Sequence, residues 1–267
     1  MPLKHSLGWV RDLPDHRDFL YAAPAQVVTA LPPKVDLRPQ MPPVYDQKEV
    51  GSCSANAIGA AIQYERAKVG QTPDFIPSRL LIYWNERFIE RSVPLDAGAI
   101  LRDGIKTVAK QGVCDETNWP YIPVPADPLT NIFPAGSPPI TKAPQSVYTE
   151  ATHFKANAYL RVTQTLNQLK GCLAQGYPII FGFAVYDNIY DANGDPVTTL
   201  RIPGAKDRML GGHAVLAVGY DDDAGVFIVR NSWGDQVMDH GYFYMVYSYM
   251  TDPQLAADFW TIRGMTS

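Results

Sequence analysis

The stretch YDQKEVGSCSANAIGAA, residues 45–61, places a cysteine, Cys53, directly after Gly51 and Ser52 and at the head of a run of small and apolar residues. The following residues, SANAIGAAIQYERAK (54–68), bring apolar side chains round at helical spacing, and the run ends in Lys68, Val69 and Gly70 with Pro73 beyond. Cys53 is therefore expected at a helix N-terminus. Unpaired backbone N–H groups and the positive end of the helix dipole stabilise a thiolate there. The same N–H groups can donate to the oxyanion of an acyl-transfer intermediate. Taken alone, the pattern favours a buried structural thiol capping a core helix.

Working outward, a second helical pattern runs from about Pro77 to Ile89, and a third, GAILRDGIKTVAKQG, stops at Gly112. Prolines crowd residues 117–145, which read as a crossing loop between two lobes. A further helix is expected over about Val162 to Gln175. Strands then follow. PIIFGFAVY, HAVLAVGYDD, GVFIVRNSWG and HGYFYMVY are rich in Val, Ile, Phe and Tyr and are separated by turn residues, which suggests an antiparallel sheet. The longest insertion between strands, residues 187–210, carries Asn193 and Gly194 as a hairpin signal. Residues 1 to about 33 are broken by Pro14, Pro24, Pro32 and Pro33 and read as an N-terminal arm.

The second half makes the chemistry specific, through GGHAVLAVGYDD (211–222) and IVRNSWG (228–234). With Cys53 these segments resemble the papain family of cysteine peptidases. Gln47 matches the family's oxyanion-hole glutamine, Cys53 its nucleophile, His213 its base and Asn231 its orienting amide, in the family's own order. Trp233, in Asn-Ser-Trp-Gly, matches the tryptophan that shields the His–Asn hydrogen bond. The Cys-to-His separation somewhat exceeds the ~130–150 residues usual for the family, and the 187–210 insertion accounts for the excess. The resemblance covers roughly residues 34–262, from VDLRP through SRLLIYWNER and GVCDETNWPY to DHGYFYM. Two positions depart from it: Val50 stands where the family usually has a cysteine, and Ser54 where it has an aromatic residue. The first removes a family disulfide and the second alters the wall beside the thiol.

The resemblance implies an α+β, two-lobed papain-like fold, with a helical lobe (about 45–125), a lobe built on an antiparallel sheet or barrel (about 145–262), and the active-site cleft between them. It also implies a thiol endopeptidase that hydrolyses peptide bonds through a Cys53 thioester, with His213 as general base and acid. Gly98, Gly212 and Trp233 are the residues expected to meet a peptide or protein substrate. A cysteine-dependent acyl or amide transferase, or a catalytically silent peptide-binding protein on the same fold, would share much of this pattern. The arm, residues 1–33, precedes VDLRP, which resembles the start of the mature domain in these enzymes. It is expected to act either as a short inhibitory prosegment of a zymogen, with Leu7, Trp9, Leu13, Phe19, Leu20 and Tyr21 as anchors, or as a structural strap on the back of a lobe.

The 267 residues, 46% hydrophobic and 19% charged with a formal net charge of −4, describe ordinary globular material. No clustered basic surface suggests nucleic acid as a partner. No apolar run approaches the ~20 residues of a membrane span, and no standard signal peptide is visible, so a cytoplasmic protein or leaderless export is expected. Cys114 and Cys172 are expected as small, part-buried thiols, a disulfide between them being the alternative. No ligand spacing suggests a metal or cofactor. His5, His16, His153 and His240 stand apart from any partner motif, Asp221, Asp222 and Asp223 read as a solvated turn, and DANGD lacks the glycine and glutamate positions of a calcium loop.

Overall fold

The computed structural model describes residues 7–71 and 75–266. His5 and Pro73 lie outside them. Along the chain the elements are β1 (Trp9–Val10), β2 (Leu20–Tyr21), α1 (Ala25–Thr29), β3 (Lys34–Asp36), α2 (Cys53–Lys68), α3 (Arg79–Ile89), β4 (Ala99–Ile100), α4 (Leu101–Lys110) and α5 (Gln145–Ala151). There follow β5 (Ala156–Val162), α6 (Leu166–Ala174), β6 (Ile179–Tyr186), β7 (Thr199–Leu200), β8 (Met209–Asp221), β9 (Val226–Arg230), β10 (Tyr242–Val246), α7 (Tyr247–Thr251) and β11 (Ala256–Met265).

The fold is α+β, with helices α2 to α4 in the first half and a nine-stranded sheet supplied mainly by the second. The sheet runs β2-β5-β11-β6-β8-β9-β10-β7, with β3 paired to β8 off this path. It is open, which corrects the expectation of a possible barrel, and it is mixed. The long pairings among β5, β11, β6, β8, β9 and β10 are antiparallel, whereas the two-residue edge strands β2 and β7 join in parallel. Short edges of this kind limit the unpaired backbone that a sheet exposes.

Helix α2 is the pivot of the molecule. Its small residues Ala55, Ala57, Gly59, Ala60 and Ala61 let it lie close against the sheet, and it packs on β8, β11 and β6 on one side and on α3 and α4 on another. All its residues from Cys53 to Arg66 are buried. A helix enclosed on every side holds its first residue where the packing puts it, with little freedom to shift.

Two expected boundaries move, and a third falls where it was expected. Helix α3 starts at Arg79, with Ser78 accepting from the Leu81 N–H as its cap, not at Pro77. The helix expected from Val162 begins at Leu166, because residues 156–162 form β5, paired along its length with β11. The proline-rich crossing segment ends in the short helix α5 at Gln145.

The arm is more ordered than its prolines suggested. Strand β2 extends the sheet edge beside β5, α1 packs on α6, and Tyr21 is buried with its hydroxyl donating to Gln175 Oε1 at 2.8 Å. Of the six expected anchors, Leu7, Trp9 and Tyr21 reach the core, while Leu13, Phe19 and Leu20 are exposed. No helix among the described residues is long and apolar enough to cross a membrane.

Candidate active site

Cys53 opens α2, so its thiol sits over the free N–H groups of the first turn. The loop in front is pinned from below. Both Asp96 carboxylate oxygens accept from the Gly51 N–H at 3.0 Å, and Tyr83 donates its hydroxyl to Asp96 at 2.5 Å. Ser52 exchanges a hydrogen bond with Tyr121 at 2.6 Å, and Tyr121 also donates to the Gln47 carbonyl at 2.9 Å. Asp96 and Tyr121 escaped the sequence reading, since a lone acid or tyrosine far along the chain carries no local signal of what it holds.

His213 projects from β8 and Asn231 follows β9, its immediate neighbour in the sheet. His213 Nε2 and Asn231 Oδ1 are 2.8 Å apart. The amide's orientation follows from its surroundings: the Ser232 backbone N–H also needs Oδ1 as acceptor, at 2.8 Å, and Nδ2 faces Met238 Sδ at 3.4 Å. The oxygen therefore faces the ring, and Nε2 is the nitrogen that carries a proton and donates. Trp233 stacks beneath the imidazole with centroids 5.1 Å apart, and Phe183 meets it edge-on at 5.8 Å. Trp233 is thus buried against the ring of His213.

Gln47 is fixed at both ends of its amide. Ser232 donates to Oε1 at 2.6 Å, while Nε2 donates to the Val50 carbonyl at 2.9 Å, so the NH2 group faces the Cys53 loop. The backbone closes the link, since the Gln47 N–H bonds the Ser232 carbonyl at 2.8 Å. Ser232, unremarked in the sequence, therefore couples the segment that follows Asn231 to the segment that precedes Cys53. The two halves of the site meet at the sulfur itself, where backbone hydrogen bonds from Ala214, the residue after His213, and from Ser54 converge on Cys53.

A third such bond comes from Gly8 of the arm. Residues 7–10 lie in the cleft: Gly8 accepts from the Ala99 N–H at 2.7 Å, and β1 pairs in parallel with β4. Contact is close enough that a Cβ on Gly98 would come within 2.0 Å of the Gly8 carbonyl oxygen, and one on Gly212 within 2.5 Å of the Trp9 carbonyl oxygen. The two glycines expected to meet substrate thus meet the arm, and Gly98 also has a left-handed φ of 72°, which a glycine adopts without strain. Under this cover Cys53 and His213 are fully buried. Burial pushes the Cys53 thiol up to about 12, against the pull of the three backbone donors.

The arm is clamped just beyond the cleft. Asp12 is buried, its Oδ2 accepting from Trp260 Nε1 at 3.0 Å and its Oδ1 from the Arg102 N–H at 3.2 Å. Arg102 makes a two-pronged pair with Asp18, and Arg161 bridges Asp12, Asp18 and Asp258. Burial, and then the charge of Asp258, raise the Asp12 carboxyl to about 6 in spite of Arg102.

The remaining candidates fall away from this centre. Cys114 and Cys172 are free and buried, with thiols pushed up by burial to about 12 and about 11. His16, His153 and His240 are exposed. Among the described residues no group of acidic, cysteine and histidine side chains could hold a metal.

A cysteine at a helix start, beside a histidine oriented by an asparagine across two antiparallel strands, defines a cysteine hydrolase of the two-lobed type. The papain family cysteine protease model matches residues 31–258, and the chain belongs to that family. Xylellain, a cysteine protease from Xylella fastidiosa, superposes with a TM-score of 0.94 at 49% identity, covering 98% of this chain and 97% of its own. An uncharacterized peptidase C1-like protein of Acanthamoeba polyphaga mimivirus is 36% identical over 99% of this chain and 88% of its own length. A procathepsin B from Trypanosoma congolense, 16% identical with a TM-score of 0.71 and covering 98% of this chain and 87% of its own, shares the fold. The chain is accordingly a cysteine protease, a hydrolase.

Proposed function

We propose that the protein is a latent thiol endopeptidase in which Cys53 attacks the peptide carbonyl and residues 7–12 hold the cleft shut. The observation that carries this reading is the meeting at the Cys53 sulfur of three backbone donors, one beside His213, one from the helix start and one from the arm. With Nε2 committed to Asn231, Nδ1 is the nitrogen that exchanges a proton with the thiol. His213 takes that proton to form the ion pair and returns it to the leaving amine. Asn231 keeps the ring in this tautomer, as the third member of a triad does. The carbonyl oxygen gains charge beside the Cys53 N–H and the Gln47 side-chain amide, the two donors of the proposed oxyanion hole. Water then hydrolyses the Cys53 thioester.

In the covered state the thiol is desolvated and neutral, which is a poor nucleophile. Displacing the arm admits water and substrate and lets the ion pair form. The test is peptidyl vinyl sulfone labelling followed by mass spectrometry, before and after proteolytic cutting of the exposed arm segment around residues 13–19. Labelling confined to Cys53 and much faster after the cut is the expected result. Labelling at Cys114 or Cys172, or none after the arm has gone, would refute the assignment.

A further inference from the structure

Beneath Cys53 a chain of polar side chains runs from an ion pair to the loop before the nucleophile. It begins at Glu116, whose two carboxylate oxygens accept from Arg79 Nε at 2.9 Å and from Arg79 Nη2 at 2.7 Å. The Arg79 guanidinium lies over the rings of Tyr45 and Tyr121, 4.5 and 4.2 Å from their centroids, and its third nitrogen, Nη1, donates to Asn56 Oδ1 at 3.1 Å. Asn56 Nδ2 donates to the Ser52 carbonyl at 2.9 Å and to Ser52 Oγ at 3.1 Å. Ser52 Oγ and the Tyr121 hydroxyl are 2.6 Å apart, and Tyr121 donates onward to the Gln47 carbonyl at 2.9 Å.

The direction of every bond in this chain is determined. Arginine only donates, so the Asn56 oxygen faces it and the NH2 group turns to Ser52. With the Tyr121 proton committed to Gln47, Ser52 gives its own proton to Tyr121 and accepts from Asn56. Two features of α2 show that these side chains serve the loop and not the helix. Ser52 stands at the N-cap and makes no side-chain capping bond, although serine there ordinarily accepts from a first-turn N–H. Asn56 is buried inside the helix, where asparagine is among the poorer formers.

The Ser52 carbonyl and the Cys53 N–H are the two ends of one peptide, and a planar trans peptide points them in opposite directions. That carbonyl accepts both from Asn56 Nδ2 and from the Asn56 backbone N–H, the latter at 3.1 Å. Whatever fixes the carbonyl also aims the N–H. We infer that Asn56 is a positioning residue for the oxyanion hole: it aims the Cys53 N–H by holding the Ser52 carbonyl, and through Ser52 and Tyr121 it ties that donor to Gln47. The inference rests on the proposed peptidase reading. Donors aimed beforehand at a developing charge need no reorganisation during the reaction, so loss of aim weakens the transition state and leaves ground-state binding as it was.

The test uses the full chain carrying Trp9→Ala, which removes the largest side chain that the arm places in the cleft. A tethered competitor alters apparent KM and leaves kcat at saturation unchanged, so kcat is the quantity compared. Adding Asn56→Ala is expected to lower kcat for a peptide amide about tenfold, with KM little changed. Affinity for a peptidyl aldehyde, whose adduct with Cys53 sets a charged oxygen in the hole, should fall by the same factor. Alkylation of Cys53 by iodoacetamide, which displaces iodide and charges no carbonyl oxygen, should keep its rate. Unchanged kcat in a folded Asn56→Ala protein, or alkylation that falls in step with kcat, would overturn the inference while leaving the peptidase reading intact. Tyr121→Phe, which deletes a single hydroxyl, decides the matter where Asn56→Ala does not fold. Loss of about threefold in both kcat and aldehyde affinity is expected, and no change in either would overturn the inference. Absence of peptide turnover in the Trp9→Ala chain, with iodoacetamide still alkylating Cys53, would overturn the peptidase reading and the inference together.

Discussion

Gln47, the proposed oxyanion donor, shows how little of a side chain's behaviour lies in the side chain itself. Its amide faces the Cys53 loop because Ser232 holds the oxygen and Val50 takes one N–H. Gln47→Ala is expected to lower kcat by about a hundredfold, as loss of one oxyanion donor does. Ser232→Ala removes the hold on the amide oxygen while Val50 still takes an N–H, so a smaller fall, about tenfold, is expected in kcat with KM little changed. Steady-state kinetics on the arm-cleaved enzyme separate the two. Cys53→Ala should abolish turnover and His213→Ala nearly so, while Cys114→Ser and Cys172→Ser, buried thiols outside the site, should keep most of it. Turnover in a verified Cys53→Ala protein would refute the mechanism.

At the scale of elements, the arm's two parts make different predictions. Residues 7–10 lie in the cleft and Asp12 is clamped just beyond it, whereas β2, α1 and Tyr21 complete the sheet edge and the packing on α6. A chain beginning at Asp15 should therefore gain peptide turnover, through a lower apparent KM, and keep its fold. One beginning at Lys34 should also unfold more easily, because it loses the buried Tyr21 ring, worth ~3–5 kcal/mol by analogy with other large aromatic truncations. Equal kinetic constants for the full chain and the Asp15 form would rule out the inhibitory role. The sequence had offered prosegment and strap as alternatives; the structure gives the two halves of the arm different positions, one in the cleft and one on the sheet.

What was legible at this scale followed the strength of the local pattern. Helix α2 and strands β6, β8, β9 and β10 declared themselves through small or β-branched runs with clear ends, and Asn-Ser-Trp-Gly marked its turn. Strand β11 did not. AADFWTIRGM is buried on both faces for most of its length, so it shows no alternation, and the bulge at Asp258 breaks what period remains. Asp258, Asp96 and Ser232 act on residues distant in sequence, and only the assembled sheet brings them to their partners.

The molecule as a whole carries several acids that burial holds above their usual range: Asp12 to about 6, Glu90 to about 7, and Glu86 and Asp96 in the same direction. A carboxyl whose pKa is higher folded than unfolded binds its proton more tightly in the native state. Its contribution to stability is complete below about pH 4, where the unfolded chain is also protonated, and is lost as pH rises through 6 to 7. The midpoint of thermal unfolding should therefore be higher at pH 5 than at pH 7.5, and Asp12→Asn with Glu90→Gln should remove much of the difference. A midpoint that rises steadily with pH would contradict this. For the arm the sign is notable: on Asp12's account, acid tightens the clamp.

All three cysteines stand as separate thiols, so nothing in the fold is stitched together by sulfur. Dithiothreitol can then touch only one thing that matters to the experimenter, the oxidation state of Cys53. A strong reductant should restore a preparation that has lost activity to air, up to the sulfenic stage of oxidation, without lowering its melting temperature. The chemistry can thus be rescued on the bench without putting the scaffold at risk, a separation denied to proteins whose covalent cross-links respond to the same reagent.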